Sequence, residues 1–217
     1  MNDKVLHILC CIMIGYSLGC ISPSYIIGRI KGIDVRKAGS KNAGASNVLL
    51  LVGKLTGFAV AILDILKAAS AWWICAAVFP EITLAGLIGG SACIIGHLFP
   101  LALGFHGGKG LACLGGVILA YNPRSFLFML CVALVIGLVT NYVCVVTVSM
   151  SFVFPLYYYY ISSCVMGAVI LAIPALPMLI KHFENFRRIK EGTEFRLSFL
   201  WDKQGELLRT GHEDEDL

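Results

Sequence analysis

From Ile65 to Leu179 the only residues charged at neutral pH are Lys67, Glu81, Lys109 and Arg124. A stretch that long and that apolar is not the core of a soluble domain. Hydrophobic residues make up 58% of the 217 and charged residues 14%, with a mean hydropathy of +0.84; a soluble domain carries roughly 25% charge. In hydrocarbon every backbone N–H and C=O must find an internal partner, so only helices and closed barrels span a membrane. The period-2 alternation of a barrel strand is absent. The chain therefore reads as an all-α, polytopic integral membrane protein.

Apolar runs at Val5–Ile30, Leu55–Phe79 and Ile82–Leu103 are long enough to cross. Leu111–Tyr121 is apolar but short of a hydrocarbon core of about 30 Å at about 1.5 Å per residue. Phe126–Ile161 is too long for one helix and is expected to break near Asn141-Tyr142; a last helix covers Cys164–Ile180, kinked at Pro174 and Pro177. Seven transmembrane helices result, with five as the alternative. The first run exceeds a signal-peptide core of about 7–15 residues and lacks a small-residue cleavage site, so it is expected to be a retained helix.

Arg29, Lys31, Arg36, Lys37, Lys41 and Lys54 surround the first loop, and Lys181, Arg187, Arg188, Lys190 and Arg196 follow the last run. The positive-inside rule makes both regions cytoplasmic and puts the N-terminus outside. The expected organisation is one transmembrane domain, 1–196, and a cytoplasmic tail, 197–217, with a solvated acidic end at Glu213–Asp216. The nine cysteines lie in apolar runs without CxxC spacing, which fits buried thiols rather than disulfides or metal ligands. No basic-aromatic pattern for nucleic acid occurs, no zinc-type spacing points to a metal, and no cofactor is expected. A monomer among membrane lipids is the expected state.

Three polar clusters interrupt this pattern. The first, Gly39–Asn47, is rich in small residues, with Ser40, Asn42, Gly44 and Asn47 suited to an oxyanion or polyol. The second runs from His97 through Pro100 to Gly107-Gly108-Lys109-Gly110. Its glycines are expected to leave N–H groups open to an anion at the start of a helix, with Lys109 adding charge. It is not a Walker A loop, because Gly110 follows Lys109 and Leu103 stands where the first glycine belongs. The third, Lys181–Glu194, sets His182, Asn185 and Arg188 on one helical stripe. In the second long run, Asp64 and Lys67 are spaced to pair with each other. By the charge bias all three clusters face the cytoplasm, which points to one phosphate-handling site.

These residues resemble the PlsY-type acyl-phosphate:glycerol-3-phosphate acyltransferases of bacteria. The matching motifs are Gly39-Ser40-x-Asn42-x-Gly44-Ala45-Ser46-Asn47; Gly96-His97-x-Phe99-Pro100 with Phe105-x-Gly107-Gly108-Lys109-Gly110 and Ala112; and His182-x-x-Asn185-x-x-Arg188 with Gly192-x-Glu194. The resemblance implies transfer of a fatty acyl group from acyl phosphate to the 1-hydroxyl of glycerol 3-phosphate at the bacterial inner membrane. It implies Ser40, His97, Lys109, His182 and Asn185 as catalytic residues, with His97 a possible proton acceptor. Substrate binding falls to Asn42, Gly44, Asn47, Gly107, Gly108, Gly110, Arg188 and Glu194. The chain departs from the pattern at Ser46 (usually Thr), Leu50 and Lys181 (both usually Arg) and Ala68 (usually Gly). Leu50 motivates the alternative of a weakly active lipid-phosphate-binding relative. A transporter of phosphorylated solutes is opposed by the one-sided clusters and the lack of an inverted repeat.

Overall fold

The structure, a computed structural model, describes residues 3–211, and every regular element among them is a helix. The helices are α1 (Asp3–Cys20), α2 (Pro23–Ile30), α3 (Ala45–Leu51), α4 (Lys54–Val78), α5 (Ala85–Leu98), α6 (Leu111–Tyr121), α7 (Pro123–Thr140), α8 (Val143–Ser162), α9 (Val165–Ala172), α10 (Ala175–Glu191) and α11 (Lys203–Thr210). Six segments are long and apolar enough to cross a membrane: 3–30, 54–78, 85–103, 123–140, 143–162 and 165–191. α6 is a shorter apolar helix, as the hydropathy predicted.

The expected breaks have local causes. Asn141 ends α7 in the left-handed region at φ 62°, and Tyr142 starts α8 in extended backbone. Pro174 separates α9 from α10, whereas Pro177 lies inside the first turn of α10 without ending it. The first span, expected as one helix from Val5 to Ile30, instead breaks at Ile21-Ser22, where Ser22 Oγ accepts from Tyr25 N at 3.4 Å and Pro23 opens α2.

Two elements were not anticipated. α3 lies inside the polar loop 31–53, too short for a periodic signal. The segment expected to be a tail instead folds as a 3-10 turn, Leu197–Leu200, and α11. Phe199 and Leu207 are buried, and Arg209 reaches back to the carbonyls of Gly192 and Glu194. The acidic end Glu213–Asp216 lies outside the described residues.

α5 is the central helix, with eleven of its 14 residues buried against three of 18 in α7. Its composition explains this: Gly89 and Gly96 let neighbouring backbone come close, and Gly86 and Gly90 make room for the Trp72 and Val117 side chains. A Cβ on Gly19 would stand 2.2 Å from Cys93 O, and one on Gly96 2.3 Å from Tyr16 O. The outer face of α7 exposes Leu127, Leu134, Val135 and Leu138, a surface suited to lipid. Gly96→Leu is expected to force α1 from α5 and destabilise the bundle by about 1–3 kcal/mol, read as a lower unfolding temperature in detergent.

Candidate active site

The polar clusters meet at one end of the bundle around a cavity of about 690 Å³. Its polar wall includes Ser40, Asn42, Gly44, His97, Lys109, Gly110, His182, Asn185, Arg188 and Glu194. Its apolar wall is built from helical stripes: Phe58, Ala61 and Ile65 of α4; Leu111, Leu114, Gly115 and Ile118 of α6; Phe126, Met129, Leu130 and Ala133 of α7. The spacing i, i+3, i+4, i+7 on α6 and α7 places each set on one face. Polar head space and apolar limb are thus continuous.

Asn47, Gly107 and Gly108 depart from their expected role. Asn47 is fully buried, and its amide is spent on the first loop: Nδ2 donates to Val35 O at 2.7 Å and Ala38 O at 3.1 Å, and Oδ1 accepts from Ser40 N at 2.8 Å. It shapes the loop that presents Ser40 and does not line the cavity. Gly107 and Gly108 do not offer N–H groups to an anion. Their N–H groups donate to Leu98 O at 3.3 Å and His97 O at 3.1 Å, the carbonyls left over at the end of α5. The two glycines permit contact instead: a Cβ on Gly108 would lie 2.2 Å from His97 Nε2. Gly110, at φ 93°, does line the cavity, together with the first turn of α6.

Two lysines, Lys67 buried and Lys181 half-buried, hold the backbone around the cavity. Lys181 Nζ donates to Leu98 O at 2.6 Å, Gly107 O at 3.0 Å and Gly108 O at 3.3 Å, and lies over the Phe99 ring. Lys67 Nζ donates to Ile21 O at 2.6 Å and Gly19 O at 3.3 Å, where the first span breaks. It also pairs with Asp64 Oδ1 at 2.7 Å, as its spacing predicted, and meets His97 Nδ1 at 3.0 Å. Asp64 lines the cavity, which its position in an apolar run concealed. Asp64, His97 and Cys113 place ligating atoms within 4.8 Å of one another, a set no sequence spacing announced. Lys67 stands against two of those three residues and supplies the positive charge there.

The two histidines differ in what holds each ring. His97 Nδ1 lies 3.0 Å from Lys67 Nζ and 3.4 Å from Asp64 Oδ1, and its Nε2 faces Gly108. A carbonyl only accepts, so His182 Nδ1 donates to Met178 O at 2.7 Å, and Nε2 keeps its lone pair. His182 thus keeps Nε2 available on the cavity wall, whereas His97 is tied to the Asp64–Lys67 pair through Nδ1.

The third cluster is knit by charge. Lys109 Nζ donates to Asn185 Oδ1, Asn185 Nδ2 donates to Glu194 Oε1 at 2.5 Å, and Arg188 Nε donates to Glu194 Oε2 at 2.6 Å. Arg188 also pairs with Glu184 at 3.2 Å. Burial pushes the Lys109 ammonium down to about 8, with the Glu194 carboxylate pulling the other way. Lys41 and Arg196, given no site role from sequence, line the cavity, as does Leu50, which stands where the family usually has an arginine. Lys41 and Arg196 read as members of the basic flanks, because a charge bias does not say which cations turn inwards.

A sequence profile of the glycerol-3-phosphate acyltransferase family matches residues 9–192. The chain belongs to that family. It is 34% identical over 208 residues to glycerol-3-phosphate acyltransferase 1 of Oceanobacillus iheyensis, covering 88% of this chain and 96% of that protein. With the glycerol-3-phosphate acyltransferase of Desulfotalea psychrophila it shares 35% identity over 189 residues, 84% and 94% of the two chains. Among solved structures it is similar to PlsY, an integral membrane glycerol 3-phosphate acyltransferase. The glycerol 3-phosphate form matches at a TM-score of 0.81 and 32% identity over 89% of this chain and 96% of that one. The lysophosphatidic acid form matches at 0.78 and 31%, over 87% and 94%.

Family membership does not say what Asp64 and Lys67 contribute. Lys67→Met leaves a buried carboxylate uncompensated and is expected to cost about 3–5 kcal/mol, measured by denaturant unfolding in detergent. Asp64→Leu with Lys67→Met is expected to regain most of that stability without regaining activity, because His97 loses the ion pair that orients its ring.

Proposed function

We propose that this acyltransferase moves a fatty acyl group from an acyl phosphate to the 1-hydroxyl of glycerol 3-phosphate, giving lysophosphatidic acid and inorganic phosphate. The observation that carries this reading is the continuity of a cationic, hydrogen-bonding head space with an apolar limb in one cavity. A water-soluble phosphate ester and a lipid chain meet there without crossing a polar boundary.

An acyl phosphate is a mixed anhydride, so the reaction needs no covalent enzyme intermediate. The hydroxyl oxygen attacks the carbonyl carbon, the carbonyl–phosphate bond breaks, and the hydroxyl proton leaves with phosphate after passing through an acceptor. His182 Nε2 is the acceptor whose geometry supports this step. Lys109 and the first turn of α6 face the phosphates, Asn185 orients Lys109, and Ser40 and Asn42 contact the acyl phosphate from the first loop. Arg188 and Glu194 hold Asn185 in place. Leu50 brings no charge to the cavity; Lys41 and Arg196 line the same space and supply cations in its stead.

The meeting of all three clusters supports an odd number of crossings with the site facing the cytoplasm of a bacterial inner membrane. The first loop, the Lys109 loop and the end of α10 share a side only if α6 to α10 recross an even number of times, which makes α6 a crossing, the fourth in chain order, and brings the total to seven. A monomer suffices for this reading, since one chain supplies both the polar wall and the apolar limb of the cavity.

Purified protein is expected to form lysophosphatidic acid from palmitoyl phosphate and none from palmitoyl-coenzyme A. Lys109→Ala and His182→Ala are each expected to lower kcat/KM by about 10–100-fold, the worth of one charged or buried hydrogen bond. Turnover with the thioester alone rejects the donor assignment. Below a pH of about 8 Lys109 is protonated, and above it the ammonium is lost. The kcat/KM for glycerol 3-phosphate is therefore expected to fall as pH rises through about 8, and Lys109→Arg to carry that limb upwards.

A further inference from the structure

Adjacent glycines in the middle of α6 have opposite surroundings. A Cβ on Gly116 would lie 2.2 Å from Ile65 O and 3.0 Å from Ala68 Cβ, so that glycine is required for α6 to lie against α4. A Cβ on Gly115 would meet only Phe126 Cε2 at 3.7 Å and Ile65 Cγ1 at 3.9 Å, ordinary van der Waals distances. Nothing about the backbone demands glycine there either, because position 115 is plain α-helix. Glycine in a helix interior is less stable than alanine. Neither packing nor conformation repays that loss at Gly115.

What Gly115 does is leave space. It lies on the cavity stripe of α6, between Leu111 and Leu114 on the side of Lys109 and Ile118 beyond, with Ile65 and Phe126 as opposite walls. From Leu111 to Gly115 the helix rises about 6 Å, so the gap sits part-way along the apolar limb, away from the phosphate end. A side chain larger than methyl would project between Ile65 and Phe126 and divide the limb. We infer that Gly115 is the specificity-determining residue for acyl-chain length: its missing side chain is the passage through which the distal part of a long acyl chain runs between α4, α6 and α7. This rests on the proposed use of the apolar limb by the acyl donor.

The test compares Gly115→Ala, Gly115→Leu and Gly116→Ala on octanoyl and palmitoyl phosphate. Gly115→Leu is expected to lower kcat/KM for the palmitoyl donor by about tenfold or more relative to the octanoyl donor, with octanoyl turnover kept within about twofold. Gly115→Ala is expected to change the ratio little. Gly116→Ala is expected to lower both rates together and the unfolding temperature with them, the pattern of a packing residue. Equal loss on both donors in Gly115→Leu, or no loss on either, overturns the assignment. Thermal stabilisation by octanoyl and palmitoyl lysophosphatidic acid gives a readout that needs no donor. Selective loss of stabilisation by the palmitoyl form in Gly115→Leu supports the passage, and unchanged stabilisation by both forms rejects it. Should the wild type turn over neither acyl phosphate, the donor reading fails, and the lysophosphatidic acid series decides Gly115 by itself.

Discussion

The site depends on how the chain satisfies backbone carbonyls where its helices stop inside an apolar bundle. Each helix end leaves unpaired C=O groups, and hydrocarbon offers them no water. Here two lysines, Lys67 buried and Lys181 half-buried, take up that role. Lys67 binds the carbonyls of Gly19 and Ile21 at the break between α1 and α2, and Lys181 binds those of Leu98, Gly107 and Gly108 where α5 ends. Both lysines would be costly alone at such positions. Lys67 has Asp64 as counter-charge, whereas Lys181 is held by carbonyl dipoles and the Phe99 ring. Irregular backbone at this depth, the feature that makes a cavity possible, exists because these ammonium groups pair it.

A second consequence is that many polar residues around the cavity are spent on one another. Asn47 is used up in its loop, Glu194 by Asn185 and Arg188, and the Gly107 and Gly108 N–H groups by α5. The same partners that consume these groups orient the ones that remain. The Asp64–Lys67 pair orients the His97 ring through Nδ1, and Met178 O takes the His182 Nδ1 proton, which leaves the lone pair on Nε2.

Much of the fold was legible because hydrophobic runs and their interruptions act locally. Pro174, Asn141 and the short Leu111–Tyr121 run marked real boundaries, and the i, i+3, i+6 spacing set His182, Asn185 and Arg188 together. α3 and α11 were not legible, since a helix of seven or eight residues owes its stability to packing rather than to a periodic signal. The glycines of the Lys109 loop were expected to open N–H groups to an anion, whereas Gly107 and Gly108 instead let the loop pack against His97 and the end of α5. Composition specifies that something comes near, and only coordinates say what.

The sequence by itself determined that this chain is a helical membrane protein of the glycerol-3-phosphate acyltransferase family and that its polar clusters belong together. Hydropathy, charge bias and motif order are carried by neighbouring residues, so no fold is needed to see them. Tertiary structure alone decided which polar atoms face the cavity, which histidine keeps a lone pair, and which of two adjacent glycines is filled by packing and which is left open. Those outcomes depend on atoms far apart in the chain, such as His97 and Lys67 or Gly115 and Phe126, whose meeting is set by helix packing.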